Sequence, residues 1–362
     1  MRAFLDDRVG NPASTHGFGQ SASRAVEEAR RRVKTLCGGA AGDLIFTGSG
    51  TEAVFLGTVG LARAVAPRGG HVVISAVEHR AGQDAGRHLE SLGFLVSRVR
   101  PDGHGYLDPA AVAAVLRADT ALASIMHANN ETGAIHPVAE IAEVCRERGV
   151  RMHVDAVQSS GKIPVDADGW GVDALSLAAH KLGGPQGVGA LWRRRGTPIE
   201  PLLPGPQESG IRGGTLNVAG IVGFGRAAEA AGDELELYRG RLTERRCRLE
   251  AALAAQVPEA RVTGAESPRL PNTVHLTFDP AVGPDLAVAL DMEGYAVSAG
   301  SACRSGSEEP SPVLLAMGYP PERARTSVRV SFGLETTDED LDGFVSALAR
   351  TVRSRVAAGA RP

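Results

Sequence analysis

The chain has 362 residues, of which 43% are hydrophobic, enough for two domains or for one large α/β domain with an appendage. A formal net charge of -3 gives no footing for nucleic acid or for an anionic membrane surface. The opening Met1-Arg-Ala-Phe-Leu-Asp-Asp-Arg has no signal-peptide core, and no apolar run approaches the ~18 residues of a membrane span, so the expected location is the cytoplasm.

Strand and helix signals alternate from Leu44 onward, which predicts an α/β sheet rather than a sandwich or a bundle. Residues 44–47 read as a short strand, Gly48-Ser-Gly-Thr-Glu52 as a turn, and the following stretch as a helix whose Val54, Leu61 and Val65 keep the helical period. Short strands follow at 71–75, 94–97, 121–126, 152–154 and 174–177, mostly separated by helical stretches, and 188–192 adds one more. A single long helical stretch from about 218 to 255 is expected to bridge to a smaller region. That region would hold a strand at 273–278, a helix at 286–292, a loop carrying Cys303, a strand at 327–331 and a closing helix from Asp338. The expected division is a large cofactor-binding domain over 1–235 and a smaller C-terminal α+β domain over 236–362.

Lysine usage carries a second signal. The chain has 39 Lys and Arg residues together, and only Lys34, Lys162 and Lys181 are lysines. Lys34 follows Arg30, Arg31 and Arg32 on a charged helical face, and Lys162, in Ser-Ser-Gly-Lys-Ile-Pro, reads as an exposed turn. Lys181 stands in the apolar, glycine-flanked Ser176-Leu-Ala-Ala-His-Lys-Leu-Gly-Gly. An amine can form a Schiff base where a guanidinium cannot, which is a reason to keep a lysine there. Arg151-Met-His-Val-Asp155 and the strand before His180 would bring Asp155 and Lys181 to one carboxyl edge of a parallel sheet, where ligands bind. An acid for a pyridinium nitrogen and a lysine for an aldehyde are what pyridoxal phosphate requires of a protein.

Other segments join this pair. Gly48-Ser-Gly-Thr-Glu52, at a strand-to-helix turn, would aim backbone N–H groups and the Thr51 hydroxyl at an anion. His79 follows a strand closely enough to reach the same edge, as a structural histidine or as one stacked on a ring and relaying protons. Asn129-Asn130-Glu131-Thr-Gly is a simple turn or part of the site. The four cysteines have no close metal-ligand spacing, and no metal is expected. Cys37, Cys145 and Cys247 read as filler in or beside helices, whereas Cys303 lies in a run of small polar residues, where Arg304 would favour its thiolate.

Taken in order, Gly10-Asn-Pro-Ala-Ser…His16, Phe46-Thr-Gly-Ser-Gly-Thr-Glu, Glu78-His79, Asn129-Asn-Glu-Thr-Gly, His153-Val-Asp-Ala-Val-Gln158, Ala179-His-Lys181, Gln207-Glu…Arg212-Gly-Gly-Thr215 and Gly300-Ser-Ala-Cys303 resemble the cysteine desulfurases. These are class V aminotransferase-like enzymes, and the resemblance runs over nearly the whole chain. It implies a type I fold of pyridoxal-phosphate enzymes, with a mostly parallel central sheet and helices on both faces. Lys181 would then bind the cofactor aldehyde, Asp155 its pyridine nitrogen and Gln158 its phenolate. His79 would stack on the ring, with Asn130 near phenolate and substrate. Gly50, Thr51 and His180 would bind phosphate, and Thr215 would reach the phosphate of a second subunit, which implies a homodimer.

The same resemblance makes Cys303 the nucleophile and Arg329 the residue that grips the substrate carboxylate. The activity implied is removal of sulfur from L-cysteine, giving L-alanine and an enzyme persulfide for an iron–sulfur scaffold or a tRNA-thiolation protein. Two departures stand out. Ala178 replaces a family serine that gives the phosphate a hydroxyl, and a Tyr-Leu-Asp strand expected before Gly10 has no counterpart. The chain would therefore start at an internal methionine or lack part of its active-site wall. A selenocysteine lyase or related β-eliminating enzyme is the alternative chemistry, and a truncated, non-catalytic scaffold the alternative without chemistry.

Overall fold

The computed structural model describes all residues except 7–9, 280–281, 284, 300–308 and 360–362, so Cys303 and Arg304 lie outside the described residues. Two compact units emerge. The first comprises Met1–Val99, Pro109–His127 and Pro137–Leu235; the second comprises Arg100–Asp108, Ala128–His136 and Glu236–Pro362. Two short stretches from the first half of the chain thus belong with the second unit, which a linear division does not contain.

The first unit is built on seven strands: β1 (Asp43–Thr47), β2 (His71–Ser75), β3 (Leu95–Val99), β4 (Thr120–Met126), β5 (Arg151–Asp155), β6 (Ala174–Ala178) and β7 (Gly189–Arg193). Their order is β1-β7-β6-β5-β4-β2-β3. The pairs among β2 to β6 are parallel, and β7 runs antiparallel to both β6 and β1. Parallel neighbours need a crossover, supplied here by helices such as Arg80–Ser91 and Val138–Glu147; the turn from β6 to β7 needs none because the chain reverses. Residues of β2, β4 and β6 are buried throughout, as expected of strands covered on both faces, while of edge strand β3 only Val99 is buried.

Aromatic residues make up only 4% of the chain, so aliphatic side chains fill this core. Leu56, Leu61, Val72, Ile74, Leu89, Leu122 and Leu191 form one cluster, each worth roughly 1.5–3 kcal/mol when fully buried. A polar ring crosses the sheet among them. His153 Nδ1 lies 2.8 Å from Ser124 Oγ and 3.3 Å from Thr58 Oγ1, and its Nε2 lies 2.8 Å from Ser176 Oγ. Burial pushes this imidazole down to about 3, so it is neutral. A Cβ at position 57 would come within 2.4 Å of the His153 ring, and there the helix begun at Gly50 widens into a π turn over Leu56–Gly60.

The long helix expected across 218–255 is two helices, Val218–Asp233 and Leu235–Gln256. Gly232 and Asp233, both poor helix formers, end the first, and the N–H of Glu234 turns back to the Ala230 and Gly232 carbonyls. The second unit carries a four-stranded antiparallel sheet in the order β10-β11-β9-β8, with β8 at Ala260–Val262, β9 at Thr273–Phe278, β10 at Ser298–Ala299 and β11 at Val328–Ser331. Leu276, Phe278, Val328 and Val330 from this sheet pack with Leu249, Leu290, Phe344 and Leu348 from its helices. Strands β8 and β10 and the five-residue helices Pro312–Ala316 and Pro321–Arg325 are too short to leave a period in the sequence. Among the described residues, no helix is long and apolar enough to cross a membrane.

Candidate active site

The parallel register places Asp155 as the last residue of β5, its Cα paired with Met126 of β4 and Ser176 of β6. Its Oδ1 accepts from the Val157 N–H at 2.9 Å, a local turn that fixes the carboxylate. Burial pushes this acid up to about 6; the Val157 N–H and the Lys181 charge hold it from rising further. Beyond β6, a single turn over Ala179–Lys181 brings His180 and Lys181 out at the same edge. The Lys181 charge acts on Asp155, His79 and His180 alike, so these four residues share one site.

His79 caps the helix Arg80–Ser91, its Nδ1 accepting from the Ala81 N–H at 3.1 Å. With Nδ1 as acceptor, the ring proton resides on Nε2. Burial first, and Lys181 second, lower the affinity of this ring for a second proton, leaving a neutral imidazole at neutral pH. Its neighbour Glu78 stands in the sequence pattern only as the residue before His79, with no role expected of it. The carboxyl is buried; Oε1 accepts from the Met126 N–H at 2.7 Å, and Oε2 has no partner. Burial and the nearby Asp155 charge raise Glu78 well above the usual carboxylate range, so it holds its proton and the edge keeps one negative charge, on Asp155.

The turn after β1 packs directly on this edge. Ser49 Oγ accepts from the Glu52 N–H at 3.1 Å, and the Glu52 carboxylate reaches back to the Gly48 N–H at 2.7 Å, a reciprocal cap. A Cβ on Gly50 would lie 2.9 Å from the Ala178 Cβ and 3.3 Å from Val157, so only glycine lets the helix start come this close to the end of β6. The first-turn N–H groups and the exposed Thr51 therefore stand beside the Lys181 turn. Arg212 pairs with the same Glu52 at 2.8 Å, tying Arg212-Gly-Gly-Thr215 to the cup and leaving Thr215 exposed.

Lys162, expected in an exposed turn, is half-buried, and its Nζ donates to Gln158 Oε1 at 3.0 Å. The backbone over 156–163 closes tight turns through the Ser160 N–H to Ala156 and Ile163 N–H to Ser159 bonds, so residues four apart meet as they do on a helix.

In the second unit, Asn129 organises its turn: Oδ1 accepts from the Glu131 and Thr132 N–H groups, both at 2.9 Å. Arg329 on β11 donates through Nη1 to the Asn130 carbonyl at 2.8 Å and through Nη2 to Ser298 Oγ at 2.9 Å. Asn130 Oδ1 and Arg329 Nε are buried without a partner, two polar atoms that a ligand could satisfy. Glu131 accepts from Ser311 Oγ at 2.5 Å and is pushed up to about 7 by burial, with Ser311 and Arg329 acting in the opposite sense.

Of the described cysteines, Cys37 and Cys145 are buried and their thiols pushed up to about 12, which makes them inert; Cys247 is exposed. A cavity of about 500 Å³ lined by Arg30, Lys34, Arg193 and Glu208 contains none of the Lys181 edge. Among the described residues, no cluster of three or more His, Cys, Asp or Glu could hold a metal ion.

The edge in the first unit can therefore accept a ring carrying an anion: a helix start for the anion, an imidazole against the ring, an acid for a ring nitrogen and an amine for a carbonyl. The aminotransferase class-V family model matches residues 1–344. A cysteine desulfurase IscS of Dictyoglomus turgidum is 43% identical over 353 residues, covering 97% of this chain and 90% of the relative. A solved NifS-like protein superposes with a TM-score of 0.88 at 33% identity, covering 98% of this chain and 94% of that one. A structure of SspA in complex with cysteine superposes at 0.80 with 29% identity, covering 93% and 94%. The chain belongs to the aminotransferase class-V family, among its cysteine desulfurases.

Proposed function

We propose that this chain is a pyridoxal-phosphate-dependent enzyme that takes sulfur from L-cysteine, releases L-alanine and leaves the sulfur as a persulfide on Cys303. The observation that carries this reading is the meeting of Lys181, buried Asp155 and neutral His79 beside the helix start at Gly50. The residues fit the cofactor. Asp155 keeps a negative charge that a protonated pyridine nitrogen would stabilise, and protonated Glu78 does not compete for it. Gly50, Thr51 and His180 would hold the phosphate, Gln158 and Asn130 the phenolate, His79 the ring face and Lys181 the aldehyde. When bound, the cofactor supplies a sink for the electron pair released as the substrate Cα–H bond breaks.

The chain's own groups do the rest. Arg329 grips the substrate carboxylate through its planar fork. The Lys181 amine takes the Cα proton and returns a proton later. The Cys303 thiolate attacks the substrate sulfur, so an S–S bond forms while the Cβ–S bond breaks; the carbon keeps that pair and is protonated to give alanine. Thr215, exposed beside the cup, would serve the phosphate of a second copy in a homodimer. The persulfide would pass to an acceptor protein of iron–sulfur assembly or tRNA thiolation, in the cytoplasm.

Mass spectrometry of the protein after cysteine addition tests this reading. One extra sulfur is expected on the Cys303 peptide, and Cys303→Ser should bind cysteine yet release almost no sulfur. Sulfur found instead on Cys247, with full activity in the serine variant, would remove the persulfide assignment. Equal turnover of selenocysteine by Cys303→Ser and by the unmodified protein would point to a lyase.

A further inference from the structure

Gln158 has two faces that chemistry distinguishes: Oε1 only accepts hydrogen bonds and Nε2 only donates them. A cofactor phenolate needs a donor, so an amide turned the wrong way would meet it oxygen to oxygen. Lys162 settles the direction. Its ammonium has three donors and no acceptor, so the 3.0 Å contact to the Gln158 side chain can only be made to Oε1. The opposite face, Nε2, is left for another partner.

The placement of this lysine is not incidental to the site. Gly161, at φ +74°, packs its α-carbon side against Leu182, the residue after Lys181, a Cβ there lying 3.1 Å from that of Leu182. The turn that carries Lys162 therefore abuts the turn that carries Lys181. Two of the three lysines of an arginine-dominated chain thus stand on abutting turns.

We propose that Lys162 is a positioning residue: it holds the Gln158 amide with its nitrogen toward the bound cofactor's phenolate and adds a positive charge behind it. The inference rests on the proposed role of Gln158 and deepens it. Polarisation runs one way along the pair, because an ammonium on Oε1 draws electron density from the amide and strengthens its N–H donor. Loss of the lysine frees the amide to flip and removes the charge.

The test is a pH titration of the visible absorbance band of the holoenzyme in Lys162→Met, Lys162→Gln, Lys162→Arg and Gln158→Ala, with circular dichroism to show that each is folded. A cation-backed donor at the phenolate makes the chromophore's proton easier to lose. Lys162→Met and Lys162→Gln should therefore raise the midpoint by about one pH unit, as expected for losing a charge-assisted bond. Lys162→Arg, which still donates to Oε1, should return it most of the way. Adding Gln158→Ala to Lys162→Met should bring no further shift, since both remove one interaction. A normal titration in Lys162→Met and Lys162→Gln, with a shifted one in Gln158→Ala, overturns the inference and leaves Gln158 in place. A normal titration in Gln158→Ala overturns the reading of Gln158 itself, and the positioning role with it.

Discussion

The carboxyl edge of the first unit and the Asn129–Arg329 region of the second solve opposite problems with the same residue types. At the edge, Asp155 accepts a local backbone bond from Val157, His79 caps its helix, and Lys181 follows β6 on a single turn. Around Arg329, side chains tie backbone and strands together: Asn129 ties its own turn, Arg329 bridges Asn130 and Ser298, and Glu131 takes the Ser311 hydroxyl. The first arrangement gathers titratable groups whose charges act on one another. The second is a hydrogen-bonded network in which Asn130 Oδ1, Arg329 Nε and His275 Nε2 remain without a partner. Reactivity calls for groups whose charge can still respond, and recognition calls for groups already fixed in direction.

Substitutions at the edge should break chemistry without breaking the fold. Lys181→Ala should abolish the borohydride-fixable link between cofactor and protein, since Lys162 is engaged with Gln158 and Lys34 lies on the helix Gly17–Leu36. A retained lysine adduct would sink the assignment. Asp155→Asn should keep cofactor but lower turnover by about 100-fold or more, because an amide cannot balance a protonated ring nitrogen in a buried site. Near-normal single-turnover rates would mean that another acid plays this part.

Substitutions around Arg329 should show as binding and pH effects. Arg329→Ala removes a bidentate donor and leaves the Asn130 carbonyl unpaired, so KM for cysteine should rise roughly tenfold or more while the cofactor spectrum is unchanged. A KM within twofold of the unmodified enzyme would place carboxylate recognition elsewhere. Glu131→Gln tests the neighbouring acid through stability. Between pH 4.5 and about 7 the folded chain holds a proton on Glu131 that the unfolded chain has released, so its contribution to stability declines as pH rises through that window. Denaturant unfolding of the glutamine variant should lack this decline, which amounts to about 1.4 kcal/mol per pKa unit. Parallel pH profiles for the two proteins would contradict it.

The smallest effect is expected at Ala178, whose Cβ faces the start of the Gly50 helix. Ala178→Ser adds a hydroxyl beside the cup and should tighten cofactor binding by a few fold, about what one net hydrogen bond contributes. Equilibrium dialysis against pyridoxal phosphate measures it, and unchanged or weaker binding would show that a side chain at position 178 does not reach the phosphate.

The chain is legible in its sequence where the information is local. The alternation of strands and helices, the Gly48–Glu52 turn, the strand end at Asp155 and the lysine after His180 all follow from spacing and residue chemistry. Short elements were invisible: β8, β10 and the two five-residue helices offer too few residues for a period. The break between Val218–Asp233 and Leu235–Gln256 was written in Gly232-Asp233, a pair that a continuous amphipathic pattern masks.

What the sequence determined by itself was therefore the α/β class, the order of the elements and the identity of the groups at the carboxyl edge, because each depends on neighbours within a few residues. Tertiary structure alone decided which of those groups carry charge and which way they point. Glu78 keeps its proton because folding buries it near Asp155, and Glu131 is pushed up to about 7 because folding buries it, against the opposing pull of Ser311 and Arg329. The Lys162–Gln158 bond is local, but only folding sets its turn against Leu182, the residue after Lys181. Desolvation and hydrogen-bond direction are properties of the surroundings in space, and the linear chain holds no record of them until it folds.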